Sequence, residues 1–372
     1  MRHSTLLPSA LICAGLVAAP SPKSPRPLIQ VALLLDTSNS MDGLIGQAKS
    51  QLWTFVNEFA PLKRDGQAPE LQVALYEYGK SSIPSGEGYI RMVLPFTTDL
   101  DRVSQELFAL TTRGGDEYCG QVIQSATNGL GWSAAPRDLK VIFIAGNEPF
   151  TQGKVDYHGA CATALEKGIL VNTIFCGPLQ EGVDTKWADG ARLGGGSYMA
   201  IDQHRQAIHI PCPLDGDIEK LGLELNKTYI PLGAAGVAGW ANQSAQDANA
   251  FGAGAGSVNQ RMKAKASGFY RADDWDLVDA EKAGRKKLES VDRKDLPEEM
   301  RAMTPAQARA HVDAKAKARA ELQAKIQKLS AEREKYVAAK RAELAAKEGA
   351  KTLDAAMVET LRGQAKAKGF LK

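Results

Sequence analysis

Three oxygen-bearing side chains, Asp36, Ser38 and Ser40, stand two residues apart directly behind the apolar run Val31-Ala32-Leu33-Leu34-Leu35. On an extended loop, residues two apart point to the same side, so one carboxylate and two hydroxyls can converge on one point. Such a set is part of the shell of a hard divalent cation, which takes oxygen ligands and keeps positions open for water or a partner carboxylate. Further oxygen donors lie on two later loops: Thr112 and Asp116 in Thr111-Thr112-Arg113-Gly114-Gly115-Asp116-Glu117, and Asn147 and Glu148 in Ala145-Gly146-Asn147-Glu148-Pro149. Without a cation, Asp36 and Ser40 would serve to cap the following helix and to hydrogen-bond the loop.

Other chemistries find less support. The chain has no Gly-x-Ser-x-Gly elbow, no phosphate-cradling glycine loop ending in Lys-Ser or Lys-Thr, and no His-Glu-x-x-His. Five histidines leave little general acid–base equipment, so an enzyme is not expected. His158-x-x-Cys161 and His209-x-x-Cys212 have zinc-compatible spacing, although a buried cysteine beside a surface histidine gives the same pattern. The carboxylates of residues 273–279 could bind calcium, but a capped helix start explains them better.

At the first loop the chain resembles the von Willebrand factor type A (VWA) domain family, whose metal-ion-dependent adhesion site (MIDAS) begins with Asp-x-Ser-x-Ser between a strand and a helix. The resemblance covers residues 28–232. It implies a Rossmann-like, doubly wound α/β fold and a Mg²⁺ ion, or else Mn²⁺ or Ca²⁺, held by three loops, with an acidic residue of another protein completing the shell. Carried over residue by residue, the first loop is intact as Asp36, Ser38 and Ser40. In the second, Asp116 matches the family branch with a Gly-Gly-Asp loop, and Thr112 is the other candidate. The third departs from the pattern: Gly146 stands where family members often have aspartate, leaving Asn147 or Glu148 to approach the site. That aspartate usually binds through water, so its loss removes a charge but no direct ligand.

The elements that must carry these loops follow from hydrophobic periodicity. The run over 28–35 suits a central strand covered on both faces. Leu44, Ala48, Leu52, Phe55, Val56 and Phe59 recur at helical spacing. Residues 71–78 alternate and pair with 89–96 in a hairpin, giving the sheet one antiparallel strand. Asp99 caps a helix through Leu110, and a further amphipathic stretch runs over 119–130. Strands over 139–145, 169–176 and 198–201 then alternate with helices over 154–167, 184–193 and 215–225. Such alternation means right-handed crossovers and a mainly parallel sheet, with ligands at the carboxyl ends of its strands.

Residues 1–19 read as an export signal: Arg2 and His3, an apolar stretch too short to span a bilayer comfortably, and the small residues Val17-Ala18-Ala19. Residues 20–27 carry four prolines and read as a stiff spacer. With the signal removed, Cys119, Cys161, Cys176 and Cys212 remain, an even number that permits disulfides in any of three pairings. Residues 233–268, rich in Gly, Ala, Ser, Asn and Gln, read as a linker with too little apolar surface to order, helical at most around 244–250.

From Thr304-Pro305, a cap with proline at the first helical position, the composition predicts one long helix. Leu322, Ile326, Leu329 and Tyr336 trace a partial heptad seam, broken by Arg333 and Lys340, which suits a short coiled coil, self-association or a hairpin within the chain. Gly349 and Gly363 divide the tail, and residues 353–367 form a separate helix in this reading. Residues 281–372 hold 23 Lys and Arg against 14 Asp and Glu, but the two signs are interleaved as on a solvated helix face, so nucleic acid is not an expected partner. No stretch of the chain reads as a transmembrane span.

These features combine into an exported, metal-dependent protein-binding module with a helical arm. Two other readings remain open: a cytoplasmic accessory subunit of an ATP-driven, chelatase-like complex, a role that VWA family members also serve, and a hydrolase with a catalytic metal on Asp36 and Asp116.

Overall fold

A computed structural model describes residues 26–202, 209–344 and 353–371; the export signal and residues 20–25 of the spacer lie outside the described residues. The first strand, β1 (Leu28–Asp36), leads into α1 (Asp42–Phe59), and β2 (Glu70–Tyr78) and β3 (Ile90–Thr97) follow. Next come α2 (Leu100–Ala109), α3 (Cys119–Gly129), β4 (Leu139–Gly146), α4 (Tyr157–Glu166), β5 (Leu170–Phe175), α5 (Leu179–Asp184), α6 (Trp187–Leu193) and β6 (Gly195–Ala200). The six strands form one sheet in the order β3-β2-β1-β4-β5-β6. Every neighbouring pair is parallel except β2 with β3, the expected hairpin.

The apolar run of β1 is buried on both faces, which is why it shows no alternation in sequence. Ile29, Val31, Leu33 and Leu35 pack on the side of α1 with Leu52, Phe55 and Phe143. Ala32 and Leu34 pack on the other side with Val122, Ile123 and Ala160 from α3 and α4. Burying one such leucine is worth about 1.5–3 kcal/mol, so a register slip here is heavily penalised. Asp99 caps α2 as expected, its carboxylate accepting from the Arg102 N–H at 3.0 Å.

After β6 the chain is helical: α7 (Asp215–Asn226), α8 (Gly233–Gly252), α9 (Ala255–Lys265), α10 (Leu277–Lys282), α11 (Glu298–Arg301), α12 (Pro305–Leu344) and α13 (Leu353–Ala367). The linker reading of 233–268 is therefore corrected, since α8 and α9 occupy that stretch. Its lack of large apolar residues is offset by buried polar groups. Arg261 ion-pairs with Asp101 of α2 and, at 2.8 Å, with Asp247, while Lys265 reaches Asp247 at 2.8 Å. Gln246 accepts from Ser104 at 2.9 Å, and the Arg261 guanidinium lies over Trp53 of α1 at 4.4 Å. Asp276 caps α10, accepting from the Asp279 N–H at 2.8 Å, and Asp273 pairs with Arg271 and Arg285, so the acidic run is a capped helix start.

The heptad seam of α12 is used within the chain. Leu322, Ile326 and Leu329 pack with Ile218, Leu225, Val258 and Met262 from α7 and α9, and Arg333 bonds Asp215 at 2.6 Å. Further along, α13 lies against α1 and joins the sheet's own core through Met357, Leu361 and Ala365, followed by Phe370 just beyond its end. Asn172 of β5 and Gln364 exchange two side-chain hydrogen bonds, at 3.1 and 2.6 Å.

All four described cysteines are buried and unpaired, which corrects the disulfide expectation. Cys176 lies on one face of the sheet, and Cys119 and Cys161 lie on the other. No helix among the described residues is long and apolar enough to cross a membrane.

Candidate metal centre

Asp36 is the last residue of β1, and β1 is where the sheet turns, with β2 on one side and β4 on the other. The crevice beyond the strand ends at such a switch point is where doubly wound sheets bind ligands. Tyr78 ends β2 in register with Asp36, and Gly146 ends β4.

The first loop converges as its spacing implies. Asp36 is fully buried, and its Oδ1 accepts from the Ser38 N–H at 2.7 Å. The Ser38 and Ser40 hydroxyl oxygens are 3.1 Å apart, and Ser40 lies 3.4 Å from Asn147 Oδ1. Thr37, between them, turns away to Glu77 and the Tyr78 carbonyl. Asn39 accepts from the Gly114 N–H at 2.8 Å, and the Arg113 N–H donates to the Thr37 carbonyl at 2.8 Å, tying the second loop to the first.

On that second loop the two expected residues point elsewhere. The Thr112 hydroxyl donates to Asp42, the first residue of α1. Asp116 is exposed, and its carboxylate accepts from the Tyr118 hydroxyl at 3.1 Å. The acid that turns inward is its neighbour Glu117, only 4% exposed. Gly79, at φ +77°, leaves room for this approach: a Cβ there would lie 2.7 Å from Glu117 Cγ and 2.8 Å from Asp36 Oδ1. Sequence reasoning missed Glu117. A period-two reading backwards from buried Cys119 through half-exposed Tyr118 would have pointed to it.

The third loop has no space for the family's aspartate. A Cβ on Gly146 would lie 2.5 Å from Tyr78 Oη and 3.1 Å from Asp36 Oδ2. The phenol is fixed there, donating to the Ala145 carbonyl at 2.9 Å. Of the two substitutes, Asn147 approaches Ser40, while the half-buried Glu148 adds negative charge near Asp36 and Glu117.

Burial pushes the Asp36 carboxyl up to about 6, against the lowering effect of its hydrogen bonds with Glu117 and Ser38. Burial, then the Asp36 charge, pushes Glu117 up to about 9. Asp36 Oδ2 and Glu117 Oε2 are buried, and no donor of another residue reaches either, so they can be satisfied only by a proton shared between the two carboxyls or by a cation. Nearby, Cys119 and Cys176 are pushed well above the ordinary thiol range, first by burial, and so are not thiolate nucleophiles.

The donor set fits a hard cation: one carboxylate and two hydroxyls on one loop, with a buried acceptor lacking any donor. It offers fewer acidic groups than a dedicated protein cage. Among the described residues no three His, Cys, Asp or Glu side chains gather to hold a metal, so the two His-x-x-Cys pairs do not assemble a zinc site.

The strand order, the single antiparallel edge pair and the Asp-x-Ser-x-Ser loop at the end of β1 together define a VWA-type fold. No protein-family model matches the chain, and no curated protein matches it. Solved structures do. Proximal thread matrix protein 1 from the mussel byssus is 10% identical over 47% of this chain, with a TM-score of 0.33, and has also been solved with a zinc-occupied MIDAS motif. BatB from Bacteroides thetaiotaomicron is 18% identical over 47% of this chain and 90% of its own length, with a TM-score of 0.35. The SpRpn10 VWA domain is 15% identical over 47% of this chain and 88% of its own, with a TM-score of 0.36. This chain spans 41% of the length of the mussel protein.

Proposed function

We propose that this protein is a non-enzymatic protein-binding module whose crevice takes up a divalent cation on Asp36, Ser38 and Ser40, and that a carboxylate of another protein completes the shell. The observation that supports this most is Asp36, fully buried with no cationic side chain against it, on one loop with two hydroxyls 3.1 Å apart. A bound Mg²⁺ or Mn²⁺ supplies a positive centre with positions open to a partner. The chain's own residues do the rest. Asp36 presents its charge from the end of a strand buried on both faces, the Ser38 N–H holds that carboxylate in place, and exposed Ser40 faces the solvent from which a partner arrives. Export belongs to the same proposal, on the composition of residues 1–19.

A thermal melt of the full chain in EDTA, then with Mg²⁺, Mn²⁺ or Ca²⁺, tests the cation. The full chain is needed because α13 is part of the sheet's core. A rise in melting temperature that disappears in Asp36→Ala supports the reading, and no shift at millimolar cation sinks it.

A further inference from the structure

We infer that Glu117 is the second anionic ligand of this centre, taking over from another loop the charge that Gly146 cannot carry. This rests on the cation reading above and names a residue to which the resemblance gives no role.

Eight carboxylates among the described residues are buried: Asp36, Glu77, Asp101, Glu117, Asp138, Asp247, Asp273 and Asp276. Six of them have a cationic side chain within 3.1 Å. Glu77 pairs with Arg91, Asp101 and Asp247 with Arg261, Asp138 with Arg64, Asp273 with Arg271 and Asp276 with Arg319. Asp36 and Glu117 have none, and each keeps a buried oxygen that no other residue's donor reaches, so without a cation the pair can be satisfied only by sharing a proton between the two carboxyls. Burying an unpaired carboxylate costs several kcal/mol, a cost the rest of this molecule consistently avoids. The two exceptions meet over Gly79. A divalent cation between them is the partner the other six find in arginine, and it would balance both charges.

Neighbouring acids fit the role less well. Asp116 is exposed and engaged by Tyr118. At position 146, the Tyr78 hydroxyl fills the space that a carboxylate would need. The Glu117 N–H is held by the Gln152 side chain, which fixes the backbone from which the carboxyl turns inward.

The test is calorimetric titration of the full-length protein with Mn²⁺, using the wild type, Glu117→Gln, Asp116→Asn and Asp36→Asn, with water-proton relaxation of bound Mn²⁺ as a second readout. Glu117→Gln should weaken Mn²⁺ at least about tenfold and, once Mn²⁺ is saturating, let more exchangeable water onto the ion. Asp116→Asn should stay within about twofold of wild type. A melt in EDTA guards against misfolding, since glutamine has the shape of the glutamic acid and can still donate to Asp36, so Glu117→Gln should melt no lower than wild type. Equal Mn²⁺ affinity in wild type and Glu117→Gln, with Asp36→Asn impaired, overturns the assignment while leaving the cation reading standing. A wild type that binds no Mn²⁺ overturns both.

Discussion

At the end of β1, Asp36 and Glu117 lie together with no cationic side chain against them, whereas between α2, α8 and α9 Asp101 and Asp247 are buried as deeply around Arg261. In the second cluster the signs alternate and the bonds close. Burial raises the Asp247 carboxyl, but Arg261 and Lys265 outweigh it and hold it below the ordinary range. In the first cluster two carboxyls meet with no cationic side chain, and both are raised, first by burial. Equal burial therefore marks two different arrangements: the balanced cluster holds the helical layer to the sheet, and the unbalanced one is the place where the proposed cation would bind.

The sharpest way to break this contrast is Arg261→Met. It leaves Asp101 and Asp247 buried without their shared partner and should cost about 3–5 kcal/mol in urea denaturation. Asp36→Asn, equally buried, should cost far less in EDTA, because it removes a charge that has no counterpart. If the two variants are equally damaging, the comparison fails.

Next in size is the cation itself. At 100 times its dissociation constant, a cation that binds only the folded state should add about 2.7 kcal/mol. That gain should vanish in Asp36→Ala and survive in Lys265→Met, whose cluster lies elsewhere; melts in matched buffers decide.

Titration should separate the clusters by sign. With Glu117 at about 9 and Asp36 at about 6, the folded state keeps protons that the unfolded chain releases from the ordinary carboxylate range upward. In EDTA, their contribution to stability therefore falls as pH rises from about 4.5 toward about 9, and Glu117→Gln should flatten most of that slope. Cation affinity should rise across the same window as the ligands lose their protons. Lys265 runs the other way. Burial lowers it to about 8 against the raising effect of Asp247, so its contribution increases as pH climbs from about 8 toward the ordinary lysine value. Urea midpoints against pH for wild type, Glu117→Gln and Lys265→Met measure each slope.

The smallest effect should come from Ser40→Ala. Ser40 is exposed, so stability in EDTA should change by less than about 0.5 kcal/mol. The cation-dependent gain in melting temperature should nevertheless shrink.

Strands β1, β4 and β5 were legible because a doubly covered sheet writes long apolar runs, β2 and β3 because alternating strand formers flank a turn, α1 because it buries a stripe at helical spacing, and α2 because Asp99 caps it. The first loop was legible for a similar reason, since two-residue spacing behind a strand fixes direction. The second was not. Asp116 and Glu117 are adjacent acids on a loop without regular structure, and inward direction there depends on tertiary ties such as Asn39 to Gly114. The stretch 233–268 misled because its core is polar: Gln243, Gln246, Asp247, Arg261 and Lys265 are buried by pairing with one another and with α2, and a reading that counts apolar residues sees nothing to fold. The seam of α12 was visible as a pattern, but a pattern does not say which surface will fill it.

The placement of α13 also bears on how the molecule reaches its native state. Arg362 meets Glu58 across 304 residues of chain, and Gln364 meets Asn172 across 192. Contacts at such separation form only after a large loss of chain freedom, and folding slows as their share grows. Leu52 and Phe143, on the α1 side of the sheet, share one buried cluster with Met357, Leu361 and Ala365 of α13, so without α13 that cluster is incompletely covered. A chain whose sheet assembled before its most distant helix returned would be adhesive on that side, because transiently exposed apolar surface is what aggregates during folding.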